Sequence, residues 1–245
     1  LRAGSTPAPG TNPNPDPPGT GPVGPGVPLR LAFLSIGRHI HTERWIRWFS
    51  NRGHDCHLLT VQPGPVAGVT VHDIRRGVGP KPLRYLWSLI EVRRVLGRIR
   101  PDLLNTHFLT GYGYWGHYSG VHPNVLTVWG DDVYVTPHEN PLKLHLARRA
   151  LKSAEAVTGD SKDILRACAR LGADPDRCFE VLWGVDFEVF RPDLKTDVRA
   201  RLGIPADAPV LFSPRSFTQP YYNLDIIIEA CRRVRDQRAD VHVVF

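Results

Sequence analysis

Methionine is absent from this 245-residue sequence, and cysteine is scarce: Cys56, Cys168, Cys178 and Cys231 stand far apart, with no CxxC pair among them. Cysteines so dispersed exclude a structural zinc site of the usual spacing and fit a reducing compartment. No uninterrupted apolar stretch approaches the roughly 20 residues that a membrane-spanning helix needs, and no apolar signal core stands at the N-terminus, so the reading is a cytoplasmic protein. Two nucleotide signatures are missing as well. No GxGxxG turn follows the first strand pattern and no GxxxxGK[ST] loop occurs, which argues against a conventional NAD enzyme and a P-loop NTPase. With no starting methionine and an end at VHVVF, inside a strand pattern, the sequence is expected to be a piece of a longer chain.

What is present is ordinary globular material, 42% hydrophobic and 22% charged, with a formal charge of +7 and a pI near 9.5. That balance calls for an anionic partner, whether nucleic acid, a phosphorylated ligand or bilayer headgroups. No recognised nucleic-acid motif accompanies the charge, so nucleic acid is set aside.

Residues 1–28 are more than half proline and glycine and are expected to form a disordered tail. Beyond them, apolar runs alternate with amphipathic stretches. The runs are RLAFLSI (30–36), DCHLLTV (55–61), VTVHDI (69–74), DLLNTHF (102–108), NVLTVW (124–129), AEAVTG (154–159) and CFEVLW (178–183). Most are too continuous for half-exposed strands and suit a parallel sheet covered on both faces. Between them, HTERWIRWFSNRG, KPLRYLWSLIEVRRVLGRIR, NPLKLHLARRALKSA and KDILRACARLG carry helical periodicity. The repeated βαβ order predicts a doubly wound α/β sheet over residues 29–193, and the pattern restarts over 194–245 as the truncated beginning of a second Rossmann-like domain.

Ligands of open α/β sheets bind beyond the carboxyl ends of the strands. The residues there include Gly37, Arg38, His39 and His41 after the first run, His107 after the fourth and Arg215 in the second domain. The fifth run ends in TVWGDDV, where Trp129 and Gly130 precede the adjacent carboxylates Asp131 and Asp132. A metal site, a polar turn and the lip of a ligand cleft all fit that stretch. The first is disfavoured because no histidine or third carboxylate stands at usable local spacing, and no metal is expected. Of His39 and His41, one is expected to cap or pack and the other to face ligand. Gly37 allows a backbone to approach a phosphate closely.

Three stretches in order, Arg52-Gly53-His54 ahead of the second strand, Trp129 to Asp132 after the fifth, and Gly184-Val185-Asp186 with Phe190 and Pro192, resemble the retaining, family-4-like glycosyltransferases of the GT-B fold. The resemblance spans residues 30–245 and implies two Rossmann-like domains, the first binding an acceptor glycan or lipid-linked sugar, the second a nucleotide-diphosphate sugar. It implies transfer to an acceptor hydroxyl without cofactor or metal, because basic side chains and helix N-termini stabilise the departing diphosphate. Within it, Gly37 and Arg215 would serve donor phosphates, Asp132 and His107 the catalytic step, and Arg38, His39, His41, Trp129 and Gly130 the acceptor side of the cleft. Two departures stand out. Pro220-Tyr221-Tyr222-Asn223 occupies the place of a lysine, and Trp129 the place of a histidine found in some relatives. They keep open a rival reading, a non-catalytic relative that binds ligand or scaffolds. The glutamate pair that holds the donor in that family would lie beyond Phe245, so this stretch alone is expected to be inactive. The arginine-rich helix pattern over 81–100, with Tyr85 and Trp87, suits peripheral contact with the inner face of a membrane.

Overall fold

Each of the seven apolar runs forms a strand in the computed structural model, which describes residues 27–75, 79–194, 196–218 and 222–245. They are β1 (Arg30–Leu34), β2 (Asp55–Thr60), β3 (Thr70–Asp73), β4 (Leu103–His107), β5 (Asn124–Thr127), β6 (Ala156–Gly159) and β7 (Cys178–Glu180). All pair in parallel, in the order β3-β2-β1-β4-β5-β6-β7, so the strand order reverses between β1 and β4. The tail expected over residues 1–28 lies outside the described residues as far as 26.

Register and handedness together decide which helix covers which face. Leu31 and Phe33 are level with Leu103 and Asn105 and share one face, while Ala32 and Leu34 share the other with Leu104 and Thr106. Helix α1 (Ile40–Ser50) steps from β1 to β2 and buries Ile46 among Leu31, Phe33 and Leu58. Helices α2 (Lys81–Ile99), α3 (Tyr112–Ser119), α5 (Pro141–Ser153) and α6 (Lys162–Leu171) step in the opposite direction. Right-handed crossovers therefore place them on the opposite face. There Val92, Val95, Leu96 and Trp115 pack with Ala32, Leu34 and Leu104, and Ala147, Leu151, Ile164 and Cys168 pack with Leu126 and Val157. The short α4 (Asp131–Tyr134) sits in the connection from β5 to β6.

Helix ends follow local chemistry. Ser161 caps α6 through its hydroxyl, which accepts from the Ile164 N–H at 3.3 Å, and Asn140 caps α5 by accepting from Lys143 N–H at 2.9 Å. Helix α3 was not legible as a helix because two of its residues are glycines, and packing explains both. A Cβ on Gly113 would stand 2.6 Å from the Phe108 carbonyl oxygen, and one on Gly116 would stand 2.4 Å from Thr106 Oγ1.

The chain divides into two compact units, Leu1–Trp183 and Gly184–Phe245, so the division falls earlier than the expected boundary at 193. Every residue from Gly184 to Leu194 is exposed and adds nothing to the first core, which is why the first unit ends with the run out of β7. The second unit holds α7 (Val198–Arg201), β8 (Val210–Phe212), α8 (Leu224–Gln237) and β9 (His242–Val244), with β8 and β9 paired in parallel.

Candidate functional site

Expectation places the site beyond the carboxyl ends of β1, β4 and β5. What stands there is a cluster of rings. Trp129 meets His39 at 4.9 Å between ring centroids, His41 at 5.7 Å, His107 at 5.8 Å and Trp183 at 4.7 Å, and it stacks on Phe108 at 4.4 Å. Trp45 closes the cluster from α1, 5.6 Å from His107 and 5.3 Å from Trp183. His41, Trp45 and Trp183 also line a groove of about 730 Å³ along α1, rimmed by Arg44, Arg47 and Arg52. Arg52 lies over the Trp48 ring at 3.6 Å.

Beneath the rings runs a buried polar network that fixes their chemistry. Asn105 Oδ1 accepts from Trp45 Nε1 at 2.9 Å and pairs with His107 Nε2 at 3.1 Å. Its Nδ2 donates to the Val125 carbonyl at 3.0 Å and to Thr127 Oγ1 at 2.9 Å, and Thr127 also receives Thr158 Oγ1 at 2.9 Å. With its amide nitrogen spent on two acceptors, Asn105 presents its oxygen to His107, so His107 Nε2 carries the proton and Nδ1 keeps a bare lone pair. These polar residues explain the sequence of β4 and β5. Asn105, His107, Thr127 and Thr158 occupy the α1 face of the sheet and satisfy one another there.

Three buried polar atoms of the ring cluster have no partner: Nδ1 of His41, Nδ1 of His107 and Nε1 of Trp129. Burial alone pushes His107 down to about 3, so it stays neutral at every ordinary pH. His39 and His41 are also lowered, by burial first and then by the charge of His41 and of Arg44 respectively.

Several expected roles change on this geometry. Asp132 is buried, 2% exposed, and its carboxylate accepts from the backbone N–H of Leu109 at 2.6 Å, Trp129 at 3.0 Å and Gly130 at 2.7 Å. It has no oxygen to offer sugar or acceptor. Asp132 therefore clamps the turns after β4 and β5 together. Burial pushes its carboxyl up to about 6 against the pull of the three N–H bonds, which leaves it ionised at neutral pH. Asp131 is exposed and accepts from Asp132 N–H at 3.0 Å. The paired carboxylates thus avoid each other by pointing apart.

Gly37 is likewise at odds with a phosphate role. Its N–H is spent on Thr60 Oγ1 at 2.9 Å, and a Cβ there would stand 2.4 Å from the Gln62 carbonyl oxygen, so the approach that demands glycine is that of its own neighbouring loop. Gly130 has φ 140, which only glycine adopts readily. His39 is the capping histidine, its Nδ1 accepting from His41 N–H at 3.3 Å, while His41 turns into the rings. Arg38 is exposed and donates to the Pro63 carbonyl at 3.0 Å. His107 is neutral and fully buried, which keeps it from substrate and removes it as a proton donor. In the second unit, the Arg215 guanidinium lies over the Tyr222 ring at 5.0 Å. Sequence reasoning missed Trp45, Asn105, Phe108 and Trp183. Trp183 ends the seventh run as Trp129 ends the fifth, a signal that was readable, whereas Trp45 and Asn105 fell inside element patterns.

A parallel sheet whose order reverses at β1/β4, with its polar and aromatic groups gathered at the strand ends, defines a Rossmann-like unit. Residues 30–161 match the glycosyl transferase 4-like family, and the chain belongs to that family. D-inositol 3-phosphate glycosyltransferase of a Nocardioides species is 41% identical over 70 residues, covering 28% of this chain and 15% of that protein. Among solved structures, Anabaena HepE in complex with UDP-glucose superposes with a TM-score of 0.67 at 15% identity, over 88% of this chain and 60% of its own. UDP-GlcNAc 2-epimerase of Methanocaldococcus jannaschii superposes with a TM-score of 0.54 at 15% identity, over 88% and 64%. At such identities these likenesses show the fold, and an epimerase shares it with glycosyltransferases. The chain spans less than two thirds of the length of HepE and far less of the Nocardioides protein.

Proposed function

We propose that the protein is a glycosyltransferase that moves a sugar from a nucleotide-diphosphate donor to a hydroxyl of a glycan or lipid-linked acceptor, with retention and without a metal. The observation that carries this reading is the ring cluster beyond the strand ends, where the half-buried Trp129, His41 and Trp183 suit a pyranose. Aromatic faces pack against the C–H groups of a sugar, and the half-buried rings of Trp129, His41 and Trp183 present such faces. The arginine rim of the adjoining groove favours a ligand with negative charge, as a phosphorylated acceptor has. Membership of the glycosyl transferase 4-like family supports the reaction class.

Within this reading His107 and Asn105 hold Trp45 in place from beneath the rings, and Arg215 grips the donor phosphates through its fork of donors, charged at any working pH. Departure of the diphosphate is then assisted by fixed positive groups, with no side chain here acting as a proton donor. The test is release of nucleoside diphosphate from a panel of nucleotide sugars by the intact gene product with EDTA present, with the anomeric configuration of the product read by NMR. Turnover that survives EDTA, retains configuration and falls at least about a hundredfold in Arg215→Ala is expected. Turnover lost in EDTA, inverted configuration or an unaffected Arg215→Ala would overturn the corresponding part.

A further inference from the structure

Helix α2 is buried on one side and bare on the other, and both sides are apolar in its N-terminal half. Tyr85, Leu89, Val92, Val95, Leu96 and Ile99 face the core. Leu83, Leu86, Trp87 and Ile90 are 45%, 53%, 46% and 49% exposed. Their spacing of three, one and three residues puts all four on one stripe of the helix, opposite the core-facing stripe. Single exposed apolar residues are common, but four large ones on one stripe mark a contact surface.

The charges around that stripe say what it contacts. The sequence from 81 to 100 holds Arg84, Arg93, Arg94, Arg98 and Arg100 against one carboxylate, Glu91. All five arginines are exposed, whereas Glu91 is 7% exposed and lies 3.6 Å from Arg94 in an ion pair. On a helical wheel Arg94 continues the apolar stripe toward the C-terminus, with Arg93 on one flank and Arg84 and Arg98 on the other. Arg93 donates to the Tyr118 carbonyl at 2.8 Å, which holds it on the surface with its charge intact. A second copy of the same face would bring like charges together, on a chain already at +7. A planar anionic surface satisfies both features at once, taking the Leu, Trp and Ile side chains between its headgroups and pairing the arginines with phosphates.

We propose that the exposed face of α2 is a peripheral docking surface for an anionic lipid bilayer, with Leu83, Leu86, Trp87 and Ile90 inserted and Arg84, Arg94 and Arg98 at headgroup level. This reading needs no donor or acceptor, so it stands or falls separately from glycosyl transfer.

Co-sedimentation of the full chain tests it, using vesicles of phosphatidylcholine mixed with phosphatidylglycerol against vesicles of phosphatidylcholine alone. Binding is expected to the mixed vesicles only and to weaken as salt rises. Trp87→Ser with Ile90→Ser should abolish it, and Arg84→Glu with Arg98→Glu should weaken it by at least about tenfold, since each basic residue contributes about fivefold. Both pairs are exposed, so unchanged thermal melts should confirm that the fold is kept. Equal binding to neutral vesicles, no binding to either, or binding untouched by both double variants would overturn the proposal. So would concentration-dependent dimers in the absence of vesicles that Trp87→Ser with Ile90→Ser dissolves, since a second copy would then own the face.

Discussion

Asp132 and His107 illustrate how burial decides what a polar side chain can do. The three N–H groups that Asp132 satisfies belong to two different turns, so Asp132→Ala strands one buried and two partly buried donors and releases both turns. The expected loss is at least about 3 kcal/mol, read as a lower urea midpoint. His107 makes a prediction of the opposite kind, about pH. Its folded pKa of about 3 lies below the unfolded value of 6.5, so the unfolded chain binds the extra proton between those values. Stability contributed by the neutral ring is therefore complete above about 6.5 and is lost as pH falls toward 3. Asp132 shifts in the other direction, so the comparison that isolates His107 is wild type against His107→Phe. Their difference in unfolding free energy should hold steady above pH 7 and move against wild type by up to about 2 kcal/mol between pH 7.5 and 5, measured by urea titration. A constant difference would show that the ring is charged or solvated in the folded state.

Among the described elements of the first unit, the seven strands and four long helices were legible because each combines an apolar run or a helical period with a stop signal. Gly172 closes α6 with φ 113, and Arg100 leaves α2 in the left-handed region just before Pro101. Helix α3 escaped because glycine at Gly113 and Gly116 reads as a loop, whereas the reason for it is the nearness of Phe108 and Thr106. The candidate site was legible in outline only. Trp129 and His107 follow from being at strand ends and His41 from opening the helix after β1, but the assignment of Asp132 and Gly37 to ligand could not survive knowledge of which backbone groups they touch. Backbone partners are set by tertiary approach, which no spacing in the sequence encodes. Gly130 is the position whose role can be isolated. At φ 140 and ψ −87, with nothing within 4 Å of where an added methyl would stand, Gly130→Ala meets backbone strain without a clash. It should cost about 2 kcal/mol in unfolding free energy, and a neutral result would mean that the turn relaxes.

For the whole molecule, the sheet order places α1 alone on one face and four helices on the other, and this asymmetry separates two surfaces on the first unit. The ring cluster and the arginine-rimmed groove lie on the α1 side, whereas the bare stripe of α2 lies on the opposite side. The proposed glycosyl transfer depends on the ring cluster being a place where sugar binds. Its most direct test is the indole N–H signal of Trp129 in a ¹H–¹⁵N spectrum, assigned by its disappearance in Trp129→Phe and followed through titration with nucleotide sugars and the free sugars they carry. A saturable shift of that signal with at least one of them is predicted, while the exposed Trp87 signal stays in place. A Trp129 signal that no sugar or nucleotide sugar moves at millimolar concentration would contradict it.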